Sequence, residues 1–392
     1  MSGAFTVDGT TQTVANKTIS SDATNVSGVY VLNGGNLVLS NVTVTTTGDT
    51  SSQDNSSFNG QNAGVLVNHN SRVAIFGGSI STTGGGANGL FAYGAGAFGS
   101  MTGGSITATG DGGHGAMTSG GGSLAITNVV VTTERIHGGA IATDRGGGTI
   151  WVVGGKITAH GPDSPGIYST SDIRAENATF IATGSEGAVI EGRNSIALKN
   201  CEMSGAAKCG VMIYQSFSGD AEGREGTFNM DGGSLSAAEG PLFFVNNTRG
   251  IIHLRGVNLS AASGVLVNAA ASRWGRSGSN GGHVELTAEN QALAGDIAAD
   301  KISSAAVTLK NHSALTGAMH NATLALDATS EWKVTADSTL TSLTDADGLS
   351  GDGLNNVHGN GHAVRYKADS TANQWLGGKT WKLAEGGTLS PE

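Results

Sequence analysis

Carboxylates and cations on successive turns of a chain are what a polysaccharide-cleaving site needs, and residues 144–193 hold several. Asp144, Arg145, His160, Glu186, Glu191 and Arg193 fall within five tens of residues of each other. A glycoside hydrolase works with two carboxylates about 5–9 Å apart. A uronate lyase needs a cation against the sugar acid and a Lys or Arg base beside it. Placed on the repeat described below, however, no two of these carboxylates take the same position in adjacent turns. They read as charges that solvate an outer surface. The ten histidines are scattered, without the His-x-His or His-x-x-x-His spacing of a metal site, and His114 and His137 fall near turns. Gly146-Gly147-Gly148 has no helix after it, so it reads as a turn rather than a phosphate loop. No metal or cofactor is expected.

Binding chemistry is better represented. Two insertions each follow a short apolar run. Residues 215–226 carry Phe217, Asp220, Glu222, Arg224 and Glu225, and residues 269–282 carry Arg273, Trp274 and Arg276. Long loops on a rigid scaffold are where binding residues concentrate. An Arg-Trp-x-Arg loop suits sugar stacking or a protein partner. With the two insertions two coils apart, their bases are expected about 10 Å from one another, as one ligand-contacting rim.

The elements that position these residues come from a repeat. Gly77-Gly78-Ser79-Ile80 returns as Gly103-Gly104-Ser105-Ile106, Gly154-Gly155-Lys156-Ile157 and Gly232-Gly233-Ser234-Leu235. Degenerate copies beginning at Asn128, Asn177 and Asn200 fill the skipped beats. A second phrase, Gly before a short apolar strand, keeps the same pace from Gly64 to Gly264. Self-similarity at a fixed period means stacked units. Short alternating strands split by Gly, Asn and Ser make those units coils of an all-β, right-handed parallel β-helix, with no amphipathic helix of convincing length. Residues 1–63 are expected to be an N-terminal cap and first coils, with a polar loop over 49–62. Residues 64–268 are regular coils, 269–362 looser ones, and 363–392 capping strands, all in one continuous solenoid. Val364, Tyr366, Trp375, Leu376, Trp381 and Leu383 supply the cover that the end of a stack needs.

Counting each apolar strand from its Gly, first and third positions are small or medium and apolar, as a coil interior requires. By period-two alternation the second position faces out. It holds Phe91, Met117, Ile141, Tyr168, Val189 and Met212, extended by Leu66, Phe243 and Leu266. The loop over 49–62 could fold over part of it but is too polar to make a good lid, so a bare apolar stripe of about 24 Å over six coils is expected, long enough to be an interface for a partner chain or a second copy. The third strand of each coil presents Ser81, Thr107, Thr132, Thr158, Ser204, Ser236 and Ser260. Glu134, Lys156, His160 and Glu202 interrupt that face, which makes it a solvated sheet better than an ice-binding plane.

Whole-chain properties narrow the classes. Of 392 residues 64 are Gly, 13% are charged and the net charge is −10, which argues against a general nucleic-acid or anionic-membrane binder. No apolar run approaches the ~20 residues of a membrane span. The start, Met1 to Val7, has no basic and apolar signal regions, as expected of a processed chain. Cys201 and Cys209 either close a small loop or stay as two thiols.

On the Gly-h-x-Ala/Val and Gly-Gly-x-Ile-x-Thr phrases, and on the segment Leu326 to Leu340 with Trp332-Lys333-Val334-Thr335, the chain resembles the passenger region of bacterial autotransporters. The type is that of pertactin-like or self-associating adhesins. The resemblance implies a secreted or surface-displayed module that binds a cell-surface protein, a glycan or itself. No outer-membrane barrel follows Glu392, so it implies either a barrel cut away or a freely secreted relative. The alternative is a carbohydrate-active enzyme on the same scaffold.

Overall fold

The computed structural model describes every residue of the chain except 219, 220 and 222. It is a parallel β-solenoid with almost no helix. The chain divides into two compact units, Met1–Lys208 with Phe217–Glu222, and Cys209–Ser216 with Gly223–Glu392.

In the first unit each coil carries three short strands, and each strand pairs in parallel with its counterpart one coil on. The first ladder stacks Val65–Val67, Leu90–Tyr93, Ala116–Ser119, Ile141–Asp144, Ile167–Ser169 and Ala188–Glu191. The second stacks Arg72–Phe76, Phe98–Thr102, Gly122–Thr127 and Gly148–Val153. The third stacks Ser79–Thr82, Ser105–Ala108, Val130–Thr133 and Lys156–Ala159. Inward positions make the core: Ile75, Met101, Ile126 and Val152 lie one above another in the second ladder and are buried.

The returning Gly-Gly phrase is the corner between the second and third ladders. Gly77, Gly103 and Gly154 have φ of 64°, 67° and 64°, and the degenerate copies put Asn128, Asn177 and Asn200 there at 52°, 54° and 49°. The corner needs one left-handed residue, which Gly adopts without strain and Asn tolerates better than other side chains. That is why the copies alternate between Gly and Asn.

The second unit repeats the plan with Val211–Tyr214, Phe243–Asn246 and Val265–Ala269 in its first ladder. Its later coils are shorter, since Leu309 sits beneath Leu326. Trp332 of the Leu326–Leu340 segment is a fully buried core residue whose indole N–H donates to Gly317 O at 2.9 Å. Its closing strands do differ from the coils. Trp381–Ala384 and Thr388–Pro391 pair antiparallel, and Val364, Tyr366, Leu376 and Leu383 are buried.

The expected bare stripe is corrected in two ways. At two coils the phase is off by one. Ile141 pairs with Ala116 and Ile167, and Phe243 pairs with Val211 and Val267. Both are therefore inward core residues, with Ala142 and Phe244 taking the outer positions. The Gly of those phrases does not mark the same backbone site in every coil, so counting from it slips. Elsewhere the stripe faces out but is not bare. Leu66, Phe91 and Met117 are fully buried, in a cluster with Tyr30, Ala63 and Ala142.

Their cover is the polar segment over 49–62, which contains a short α-helix, Gln53–Asn59, capped by Ser52 and ended by left-handed Gly60. Gly60 lies so close that a Cβ there would be 2.8 Å from Leu66 and 3.0 Å from Phe91. The segment's polar residues do not disqualify it as a lid, because its backbone is bonded to the coils it covers. Ser119 Oγ donates to Phe58 O at 2.6 Å, Asn88 Nδ2 to Ser56 O at 2.9 Å and Ser27 Oγ to Gln61 O at 3.2 Å.

Candidate functional site

Arg145, Glu186 and Glu191 are engaged with the first unit's own groups. Arg145 lies over the Phe58 ring, its guanidinium carbon 3.5 Å from the centroid, and 3.8 Å from Asp54. Both partners belong to the lid helix. Glu186 is buried and accepts from Ser185 Oγ. It also lies 3.4 Å from Lys208 Nζ, which in turn pairs with Asp163. Burial opposes the charge on Lys208, but the bond to Asp163 and the field of Glu186 hold its pKa above the ordinary value. Glu191, also buried, accepts from the Tyr168 hydroxyl and from Ser218 Oγ at 3.3 Å. Each carboxylate thus has its own donors. His160 is exposed, its Nδ1 3.1 Å from Thr183 Oγ1, and Arg193 is exposed.

The rest of the stripe is distributed unevenly. Tyr168 is half-buried, Val189 is buried and Met212 is half-buried. Cys201 is a buried free thiol whose pKa burial raises, and Cys209 is also buried.

Of the first insertion, Phe217 is exposed with a left-handed φ of 66° and belongs to the first unit, whereas Arg224, exposed, belongs to the second. Asp220 lies outside the described residues.

The second insertion is the better-built site. Between the strands Val265–Ala269 and His283–Glu289 the chain runs without strand or helix, yet it is tied down by buried amides. Asn280 Nδ2 donates to Ser272 O at 2.8 Å and Trp274 O at 2.9 Å. Asn246 Nδ2 donates to Ala270 O at 3.0 Å and Asn280 O at 2.9 Å. Asn247 lies under the loop, where a Cβ at Gly275 would come within 2.3 Å of its amide. At the loop's foot the Asp300 carboxylate accepts from Ala271 N at 2.7 Å and Ile302 N at 3.0 Å. Burial alone would raise that carboxyl, but the donors, Ser303 and these amides, outweigh it and set the pKa below the ordinary value.

On this base Trp274 is half-buried against the Tyr214 ring, centroids 5.4 Å apart. The Arg273 guanidinium lies 4.8 Å from the centroid of the same indole, and Arg273 and Arg276 are both exposed. The arrangement holds the Arg273 guanidinium beside an aromatic surface with a second exposed arginine, Arg276, on the same loop, and guanidinium groups recognise carboxylates or sulfates. The insertions were visible in the sequence as breaks in the repeat. The asparagines that fix the second one were not, since Asn246 and Asn247 sit at a strand end with no periodic signal.

Among the described residues no three His, Cys, Asp or Glu side chains are grouped so as to hold a metal ion, and no helix is long and apolar enough to cross a membrane. No family model, no curated protein and no solved structure matches the chain.

Proposed function

We propose that the chain is a secreted or surface-displayed, adhesin-like binding module that takes an anionic cell-surface glycan on the loop 269–282. The observation that carries this reading is the loop's fixation. An irregular segment held by buried Asn246 and Asn280, with Arg273 and Arg276 left in solvent, is preorganised for a ligand and loses little entropy on binding. Guanidinium groups pair bidentately with carboxylate or sulfate, and a sugar face can pack on the indole. The resemblance to adhesin passengers supports the same reading.

The experiment is an array of sulfated and uronate oligosaccharides probed with the wild-type protein and the double variant Arg273→Ala/Arg276→Ala. The wild type should bind a subset of the anionic glycans, and the double variant should lose at least about tenfold in affinity, roughly 1.4 kcal/mol. Binding that persists undiminished in the double variant, or a wild type that takes none of the glycans, would end this reading.

A further inference from the structure

The outer face of the second ladder in the first unit carries aromatic side chains along one strip. Ala74, Ser100, Ala125 and Trp151 stand in register on four successive coils. Along their strands they alternate with buried Ile75, Met101, Ile126 and Val152, so all four point outward. The first three are short side chains and make a floor about 14 Å long from Ala74 to Trp151. Phe76 lies two residues beyond Ala74 and Phe98 two residues before Ser100. Both therefore share the outer face, one on each side of the floor.

Trp151 has no task in the fold. Trp332, Trp375 and Trp381 each donate the indole N–H to a backbone carbonyl, and Trp274 packs on Tyr214. Among the described residues the Trp151 indole has no hydrogen-bond partner and no ring contact, and it is 54% exposed. Phe76 is 51% exposed, whereas Phe98 is half-buried with the Arg72 guanidinium 5.7 Å from its centroid. Two large rings thus stand in water on one strip, which the hydrophobic effect opposes.

Beyond Trp151 the strip ends on an oriented polar pair. Arg174, the register partner of Trp151 on the next coil, donates from Nε and Nη2 to Asp172 Oδ2 at 3.1 and 2.8 Å. Ser195 Oγ donates to Asp172 Oδ1 at 2.8 Å. The carboxylate is fixed and neutralised, so this end offers hydrogen-bonding groups without net charge. An anionic ligand would meet Asp172 here, and a neutral one meets a donor and an acceptor side by side. The core of a protein interface is a continuous apolar patch, but Ser100 and Ala125 part these rings. Separate aromatic faces among hydroxyl and charged groups fit a sugar chain, whose pyranose rings turn C–H faces to an aromatic ring and hydroxyls to its polar neighbours.

We infer that this strip is a glycan site distinct from the loop 269–282, taking a neutral oligosaccharide laid along the coils. Trp151 stacks on one sugar and Phe76 on another, and the Arg174–Asp172 pair bonds hydroxyls of the sugar at Trp151. The inference is independent of what the loop binds.

The test is calorimetric titration of the full chain with cellopentaose, xylopentaose and mannopentaose. At least one should bind the wild type. Trp151→Ala should weaken that binding at least about tenfold without lowering the melting temperature, because the side chain is exposed. Trp151→Phe, which keeps a flat ring, should recover part of the affinity, and Phe76→Ser should reduce it. Arg273→Ala/Arg276→Ala should leave it unchanged. No heat from any of the three at millimolar concentration would overturn the inference, and so would binding that Trp151→Ala leaves intact. Neutral-sugar binding lost only in the double arginine variant would place it on the loop and overturn the inference while the proposed function stands. Trp151→Ala that instead dissociates a self-associated wild type in sedimentation, with no response to sugar, would make the strip an interface between copies and equally overturn it.

Discussion

Arg145 and Phe58 are stacked with the guanidinium carbon 3.5 Å from the ring centroid, joining an outer corner of one coil to the helix that covers its neighbours. The accompanying ion pair to Asp54 is long, 3.8 Å, and its carboxylate is three-quarters exposed, so it contributes little. The ring contact is the stronger tie. A double-mutant cycle with Phe58→Ala and Arg145→Ala should give a coupling of about 0.5–2 kcal/mol in urea unfolding. Amide exchange over residues 52–61 should quicken in each single variant. Additive substitutions with unchanged exchange would mean that the helix is held without this contact.

The burial of the apolar stripe makes sharp distinctions among residues that look alike in the sequence. Ile141→Ser and Phe243→Ser remove fully buried core groups and should each cost about 3–5 kcal/mol. Met212→Ser, at a half-buried outer position, should cost less than half of that. Denaturant midpoints for the three variants check the order, and an equal loss at Met212 would refute the assigned phase.

The corner rule can be tested by exchange. Asn128 is exposed at φ 52°, so Asn128→Gly should change stability by no more than about 0.5 kcal/mol. Asn128→Val forces a β-branched residue into the left-handed region and should cost about 1–2 kcal/mol. Melting temperatures of the pair decide it: a tolerated valine would mean that the corner can relax.

His114 supplies a pH dependence. Burial lowers its pKa to about 4, and His137 pushes the same way, while the Gly139 carbonyl, 3.2 Å from Nδ1, resists. The folded pKa lies below the unfolded value of 6.5, so the neutral ring is favoured in the fold. Stability from this group is full above 6.5 and declines as pH falls towards about 4, because the unfolded chain takes up the proton first. His114→Gln should flatten the unfolding free energy between pH 6.5 and 4. An unchanged slope would remove His114 as its cause.

Much of the fold could be read from residues 64–268 because the period, the strand alternation and the corner residue all repeat. The outward hydroxyl row was placed correctly: Ser81, Thr107, Thr132 and Thr158 pair in one register and are half-buried. Ile141 and Phe243 escaped because a loop can lengthen by one residue between Gly and strand without altering the local pattern. The lid escaped for a different reason. Helix Gln53–Asn59 is seven residues long and has no apolar stripe of its own, so its affinity for Leu66 and Phe91 lies in close backbone approach and capping bonds. The same holds for the loop 269–282, whose exposed arginines were legible and whose buried asparagine anchors were not.

The lid also carries a consequence for the order of events during synthesis. Ser119 bonds the carbonyl of Phe58, 61 residues earlier, so the covering segment is made well before the surface it covers. Until the strand Ala116–Ser119 and then Arg145 have been delivered and stacked, residues 52–61 lack two of their attachments. A coil-by-coil stack can otherwise close as it emerges, each turn on the one before. Here a piece of the chain must wait, and its tie to Arg145 forms only once the coils through that residue are complete.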